Sequence, residues 1–139
     1  LIKDGKNKLR RKEDLFDDDN FKNILIIEDD PLNFKLMKTL LQFNKFKVDG
    51  TDSAENMMNK MELFHPDLIL MDIQLPGTDG LEATRLLKKS DIYKDIPVIA
   101  VSAHAMEENK IEAKEAGCIA YITKPLDTRT FANSVGNYL

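Results

Sequence analysis

The run Leu68-Ile69-Leu70-Met71 sets the tightest limit on what this chain can fold into. Four apolar residues with no polar alternation suit a strand buried on both faces, as in the middle of a parallel sheet. The run closes on a carboxylate, Asp72, and the turn pair Pro76-Gly77 follows soon after. An acid at the end of a buried strand is costly unless it has a partner or a task. Alone, Asp72 reads as a cap on the next turn. Its meaning depends on what the other strands end in.

Such a strand needs neighbours beside it and helices over it, and the chain supplies both from Phe21 onward. Ile24–Ile27 reads as a first buried strand, closed by Glu28, Asp29 and Asp30. Asp30 before Pro31 is an N-cap with proline at the first helical position. The helix that follows places Leu32, Leu36, Met37, Leu40 and Leu41 on one face. A weaker strand is expected over 46–51. Ser53 then opens a helix carrying Ala54, Met57, Met58, Met61 and Phe64, where the methionines read as core filler. His65-Pro66 ends that helix, and the central strand occupies 67–72.

A third helix, about 79–89, carries Leu81, Leu86 and Leu87. A fourth strand over 97–101 ends at Ser102, and the helix around 106–116 has many charges and a poor apolar stripe. A fifth strand over 119–122 leads to Lys124-Pro125. The last helix sets Phe131, Val135, Tyr138 and Leu139 at helical spacing. Five strands alternating with five helices make an α/β domain with a parallel sheet.

Residues 1–20 stand apart as a charged linker or tail, basic over Lys3–Lys12 and acidic over Glu13–Asp19. The remaining 21–139 form one domain, large enough to bury a core without disulfides or metals as staples. A net charge of −4 argues against a general grip on nucleic acid. The single cysteine, Cys118, permits no internal disulfide; it fits a cytosolic compartment and reads as a small buried residue. No apolar run reaches the length of a membrane span, and no signal peptide is visible. The chain starts at Leu1 rather than Met, as expected of a piece of something longer. No DNA-binding unit follows Leu139, so direct control of transcription is not expected.

In a parallel α/β sheet the functional residues lie beyond the carboxyl ends of the strands. Here the first strand ends in Glu28-Asp29, the third in Asp72, the fourth in Ser102, and the fifth leads into Lys124. With the first and third strands adjacent, roughly 4.8 Å apart, their acids converge. Three carboxylates that close do not all ionise without a cation. All-oxygen donors with no histidine or thiolate point to a hard ion, Mg²⁺ (or Mn²⁺) before Zn²⁺. A lysine ammonium and a serine hydroxyl at the same rim suit a phosphoryl group, and an aspartate can itself be the nucleophile that accepts one.

Over Phe21–Leu139 the sequence resembles the receiver domain of two-component response regulators. The matching pieces are Ile24–Asp30, Leu70–Gly80, Val98–Ala103 and Tyr121–Pro125, in family order and spacing. Within the family it is similar to single-domain cell-division regulators and to hybrid histidine kinase receivers. The resemblance implies a flavodoxin-like, doubly wound five-stranded parallel sheet of order 2-1-3-4-5. It implies Asp72 as phosphoacceptor from a phosphohistidine, with Ser102 and Lys124 on the phosphoryl group. Asp29 and Asp72 would hold the metal directly, Glu28 through water, with the backbone carbonyl of Gln74. Tyr121 would turn inward as Ser102 moves, and the Lys124–Pro125 bond is expected in cis.

The resemblance departs from the commoner pattern in having Glu28 where many members have aspartate. The side chains of Gln74 and His104 would tune the loss of the phosphoryl group, and neither His65 nor His104 reads as a phosphodonor. The implied partners are a histidine kinase or histidine phosphotransfer protein, and a downstream protein on the fourth helix, fifth strand and fifth helix. Neither nucleic acid nor membrane is a direct partner. The expected protein is a cytoplasmic signalling switch that catalyses its own phosphorylation and dephosphorylation, free-standing or cut from a hybrid kinase.

Three other readings are weaker. A pseudo-receiver that serves only as an interaction module typically lacks one of the acids or the lysine, and all are present. A flavin-binding domain of this topology needs a hydroxyl- and glycine-rich loop after the first strand, where Glu28-Asp29-Asp30 would repel a phosphate. An aspartate-nucleophile phosphatase needs a second acid two residues past the nucleophile, where Gln74 stands.

Overall fold

The computed structural model describes residues 21–139, so the charged tail expected over 1–20 lies outside the described residues. The strands are β1 (Asn23–Ile27), β2 (Lys47–Thr51), β3 (Leu68–Asp72), β4 (Val98–Ser102) and β5 (Ala120–Thr123). The helices are α1 (Pro31–Phe43), α2 (Met57–Phe64), α3 (Gly80–Lys88), α4 (Glu107–Ala116) and α5 (Phe131–Gly136). The sheet is parallel throughout, in the order β2-β1-β3-β4-β5. The anticipated order and fold are therefore observed.

Alternation along the strands builds two cores. Leu25, Ile27, Ile69, Met71, Val98 and Ala100 face α2, α3 and α4, meeting Met57, Met61, Leu87 and Ala113. Ile24, Ile26, Leu68, Leu70, Ile99 and Val101 face the other way, onto Met37 and Leu41 of α1 and Phe131 and Val135 of α5. All five residues of β3 are buried, as the uninterrupted apolar run requires.

The register places the chemistry. Ile27 pairs with Met71, so Glu28 and Asp72 come level at the top of adjacent strands. Ser102 pairs with Thr123, and the Lys124 amide donates to the Ser102 carbonyl at 2.8 Å. The Lys124–Pro125 bond is cis. Asp30 caps α1 as expected, its Oδ1 accepting from Leu32 N at 3.0 Å.

Several helix faces differ from expectation. Leu32 is 78% exposed; the inward stripe of α1 runs through buried Met37 and Leu41, as expected, with Phe34 and Leu40 half-buried beside them. Leu36 immediately precedes Met37, and a step of one residue turns a side chain about 100° around the axis. Leu86 is solvent-facing for the same reason, beside buried Leu87, and Met58 beside Met57. The segment after Ser53 begins as a 3₁₀ turn over Ala54–Asn56 before α2. Helix α5 ends at Gly136, which leaves Tyr138 and Leu139 beyond it and exposed. Helix α4 buries only Ala113 and Ala116, as its poor stripe foretold.

Candidate functional site

The carboxyl ends of β1, β3, β4 and β5 bring Glu28, Asp29, Asp72, Ser102 and Lys124 to one edge of the sheet. Glu28, Asp72 and Ser102 are buried, while Asp29 is exposed. Lys124 Nζ lies 3.0 Å from Glu28 Oε1 and 3.3 Å from Asp72 Oδ2. Each carboxylate is also fixed by the loop that follows it. The Asp30 amide donates to Glu28 Oε2 at 3.1 Å, and the Gln74 amide donates to Asp72 Oδ1 at 2.8 Å. The Glu28 amide extends the sheet by donating to the Thr51 carbonyl at 3.0 Å.

Burial raises the Glu28 carboxyl to about 7, helped by the neighbouring Asp72 and opposed by Lys124 and the Asp30 amide. Burial pulls the Lys124 ammonium down, but Glu28 and Asp72 outweigh it and hold the group above its ordinary value. The folded protein thus retains a proton on Glu28 that the unfolded chain releases near 4.5. The stability this confers is complete below that pH and is lost as pH rises through 7, by on the order of 3 kcal/mol. Metal-free thermal melts from pH 5 to 8 should therefore slope less steeply downward for Glu28→Gln than for the wild type. Parallel curves would show that Glu28 titrates normally.

A second set of contacts joins the loops after β3 and β4. Gln74 Oε1 accepts from Ser102 Oγ at 3.2 Å and from Ala103 N at 3.3 Å. Gln74 Nε2 meets His104 Nε2 at 3.0 Å, and the His104 amide donates to Ser102 Oγ at 3.0 Å. Tyr121 Oη donates to the His104 carbonyl at 2.8 Å, which ties this ring to the loop.

The acids suit a divalent cation. One carboxylate oxygen each from Glu28, Asp29 and Asp72 lies within 4.8 Å of the other two. Glu28 Oε1 is buried with an ion-pair contact but no hydrogen bond, which leaves a lone pair for a ligand. An all-oxygen donor set selects hard ions such as Mg²⁺ and Mn²⁺.

The sequence reading missed three contributors. The Asp30 and Ala103 amides are backbone groups, which residue type does not reveal. Gly80 packs against the end of β3: a Cβ there would overlap the Asp72 carbonyl oxygen and lie 2.6 Å from Ile73 Cα. The pair Asp79-Gly80 signals only a helix start, and that part is correct, with Asp79 Oδ1 accepting from Glu82 N at 2.8 Å.

Comparison with known proteins agrees with this geometry. The family model of the response regulator receiver domain matches residues 24–135. The polar-differentiation response regulator DivK of Brucella ovis is 41% identical over 118 residues, covering 85% of this chain and 96% of that protein. A CheY-like response regulator receiver domain from Methanospirillum hungatei JF-1 has a TM-score of 0.77 at 29% identity, covering 86% of this chain and 94% of that one. A sensor histidine kinase receiver domain from Pseudomonas aeruginosa PAO1 has a TM-score of 0.77 at 26% identity, covering 85% of this chain and 97% of that one. Its structure has a magnesium ion coordinated in the active site cleft. A family match of this span, with a relative at this level of identity, means that the chain belongs to the response regulator receiver domain family of two-component systems.

Proposed function

We propose that Asp72 is the phosphoacceptor of a signalling switch, taking a phosphoryl group from the phosphohistidine of a histidine kinase or histidine phosphotransfer protein. The observation that carries this reading is the setting of the Asp72 carboxylate. It is buried at the strand end between the Lys124 ammonium and two further acids, with the Ser102 hydroxyl on the adjoining strand. An Asp72 oxygen attacks phosphorus as the phosphorus–nitrogen bond breaks, giving an acyl phosphate and an imidazole that takes its proton from solvent. Lys124 pairs with a phosphoryl oxygen and Ser102 donates to one. Glu28, Asp29, Asp72 and the Gln74 carbonyl would hold Mg²⁺ or Mn²⁺, which when bound supplies positive charge against the transferring group.

Movement of Ser102 toward the phosphoryl group draws on the loop that holds Tyr121, and the signal emerges on α4, β5 and α5 for a downstream protein. The weak seat of α4 supports that choice of surface. Gln74 and His104 tune the lifetime of the acyl phosphate, which the domain forms and hydrolyses itself. The setting is cytoplasmic and involves no direct nucleic-acid or membrane partner; among the described residues no helix is long and apolar enough to cross a membrane. The alternative, an unphosphorylated interaction module, has no observation in its favour.

Intact mass after incubation with acetyl phosphate, with and without Mg²⁺, tests the reading on wild type and Asp72→Asn. The expected result is a Mg²⁺-dependent phosphoryl adduct on wild type and none on Asp72→Asn. An adduct that persists in Asp72→Asn would move the acceptor elsewhere, and no adduct on either would favour the interaction module.

A further inference from the structure

Ser102 is fully buried, so its hydroxyl hydrogen needs a partner inside the protein. That partner is Gln74 Oε1, at 3.2 Å, and the same oxygen takes the Ala103 amide at 3.3 Å. A backbone N–H only donates, so the carboxamide orientation is fixed, with its oxygen on this loop. Its Nε2 must then donate to His104 Nε2, which places the ring proton on Nδ1. One side chain from the β3–α3 loop therefore engages three consecutive residues, the last of β4 and the two that follow it. The third of these, His104, holds the Tyr121 hydroxyl through its carbonyl.

We propose that the Gln74 carboxamide is a resting-state latch, its oxygen standing where a phosphoryl oxygen would otherwise draw the Ser102 hydroxyl and Ala103 amide. The inference rests on Asp72 being the acceptor. Ser102 has one hydroxyl hydrogen, so it donates to Gln74 or to the phosphoryl group but not to both. Loading Asp72 must break the latch. Gln74 thereby sets the equilibrium between resting and loaded forms, separately from any effect on how fast water removes the phosphoryl group. Its backbone and side chain act oppositely, the amide bracing Asp72 while the carboxamide withholds donors from it.

The test is a beryllofluoride titration at saturating Mg²⁺, followed by amide spectra, on wild type, Gln74→Met and Gln74→Ala. Methionine keeps the length of glutamine and supplies no comparable acceptor. Both variants should bind beryllofluoride about three- to tenfold more tightly, the equivalent of one ordinary hydrogen bond released from competition. Mg²⁺ affinity is measured separately for each variant, so that any change at the Gln74 carbonyl is told apart from release of the two donors. His104→Ala, which leaves Oε1 and its two donors in place, should shift affinity less in the same direction. General damage to the pocket would weaken binding, so tightening is specific to a latch. Equal or weaker binding in both Gln74 variants, with wild type still forming the adduct, would overturn the latch alone. No adduct on wild type would remove the acceptor assignment and the latch with it.

Discussion

Metal-free Lys124→Met is expected to lose about 3–5 kcal/mol of folding stability at pH 8, the cost of stripping one partner from a buried ion pair. Lys124 is the cation at 3.0 Å from Glu28 and 3.3 Å from Asp72, and both carboxylates are almost wholly buried. Without it they repel one another in a poorly hydrated pocket. Two controls separate this effect from lost packing. At pH 5.5 Glu28, whose carboxyl burial raises to about 7, is protonated and the deficit should narrow. Saturating Mg²⁺ should restore part of the loss at pH 8, since a divalent cation can replace the missing charge. Chemical denaturation at both pH values, with and without Mg²⁺, measures all of this; a deficit independent of both would assign Lys124 a packing role.

Gly80→Ala should destabilise the domain by roughly 2–4 kcal/mol and impair phosphoryl uptake. Alanine is the better helix former by up to about 1 kcal/mol, so propensity alone predicts the opposite sign. Overlap with the Asp72 carbonyl and close approach to Ile73 Cα decide the matter, because both neighbours are backbone at the end of the central strand. Relief requires α3 to move away or the Asp72 peptide to shift, and either displaces the carboxylate. Gly136→Ala is the internal control, since its Cβ would meet only Phe46 Cζ at an ordinary 3.5 Å. Denaturant midpoints of the two variants, read beside acetyl phosphate uptake, would test this. A stable, fully reactive Gly80→Ala would show that the helix start yields freely.

What could be read from the sequence was whatever the period of a strand determines. Glu28, Asp72, Ser102 and Lys124 were found because each follows a short apolar run, and parallel pairing brings such ends together. Helix faces were harder to assign. Leu36-Met37 and Leu86-Leu87 place two large apolar residues side by side, and hydrophobicity alone does not say which turns inward. Only contact with the sheet separates them. The contacts of Gln74 and His104 were illegible for a different reason. They depend on where two loops, 28 or more residues apart in the chain, come to rest. The bridge that Lys124 makes between Glu28 and Asp72 was not legible either, since it depends on how far the side chain reaches back over the strand ends.

Helix α4 touches the interior through Ala113 and Ala116 alone. Alanine has no side-chain torsion to reset, so neither residue loses or gains rotameric freedom when its surroundings change. A helix resting on leucines or phenylalanines is keyed into its neighbours, and displacing it means re-cutting every notch. One seated on bare methyl groups is closer to a runner on a smooth track, where a small translation exchanges one shallow contact for another.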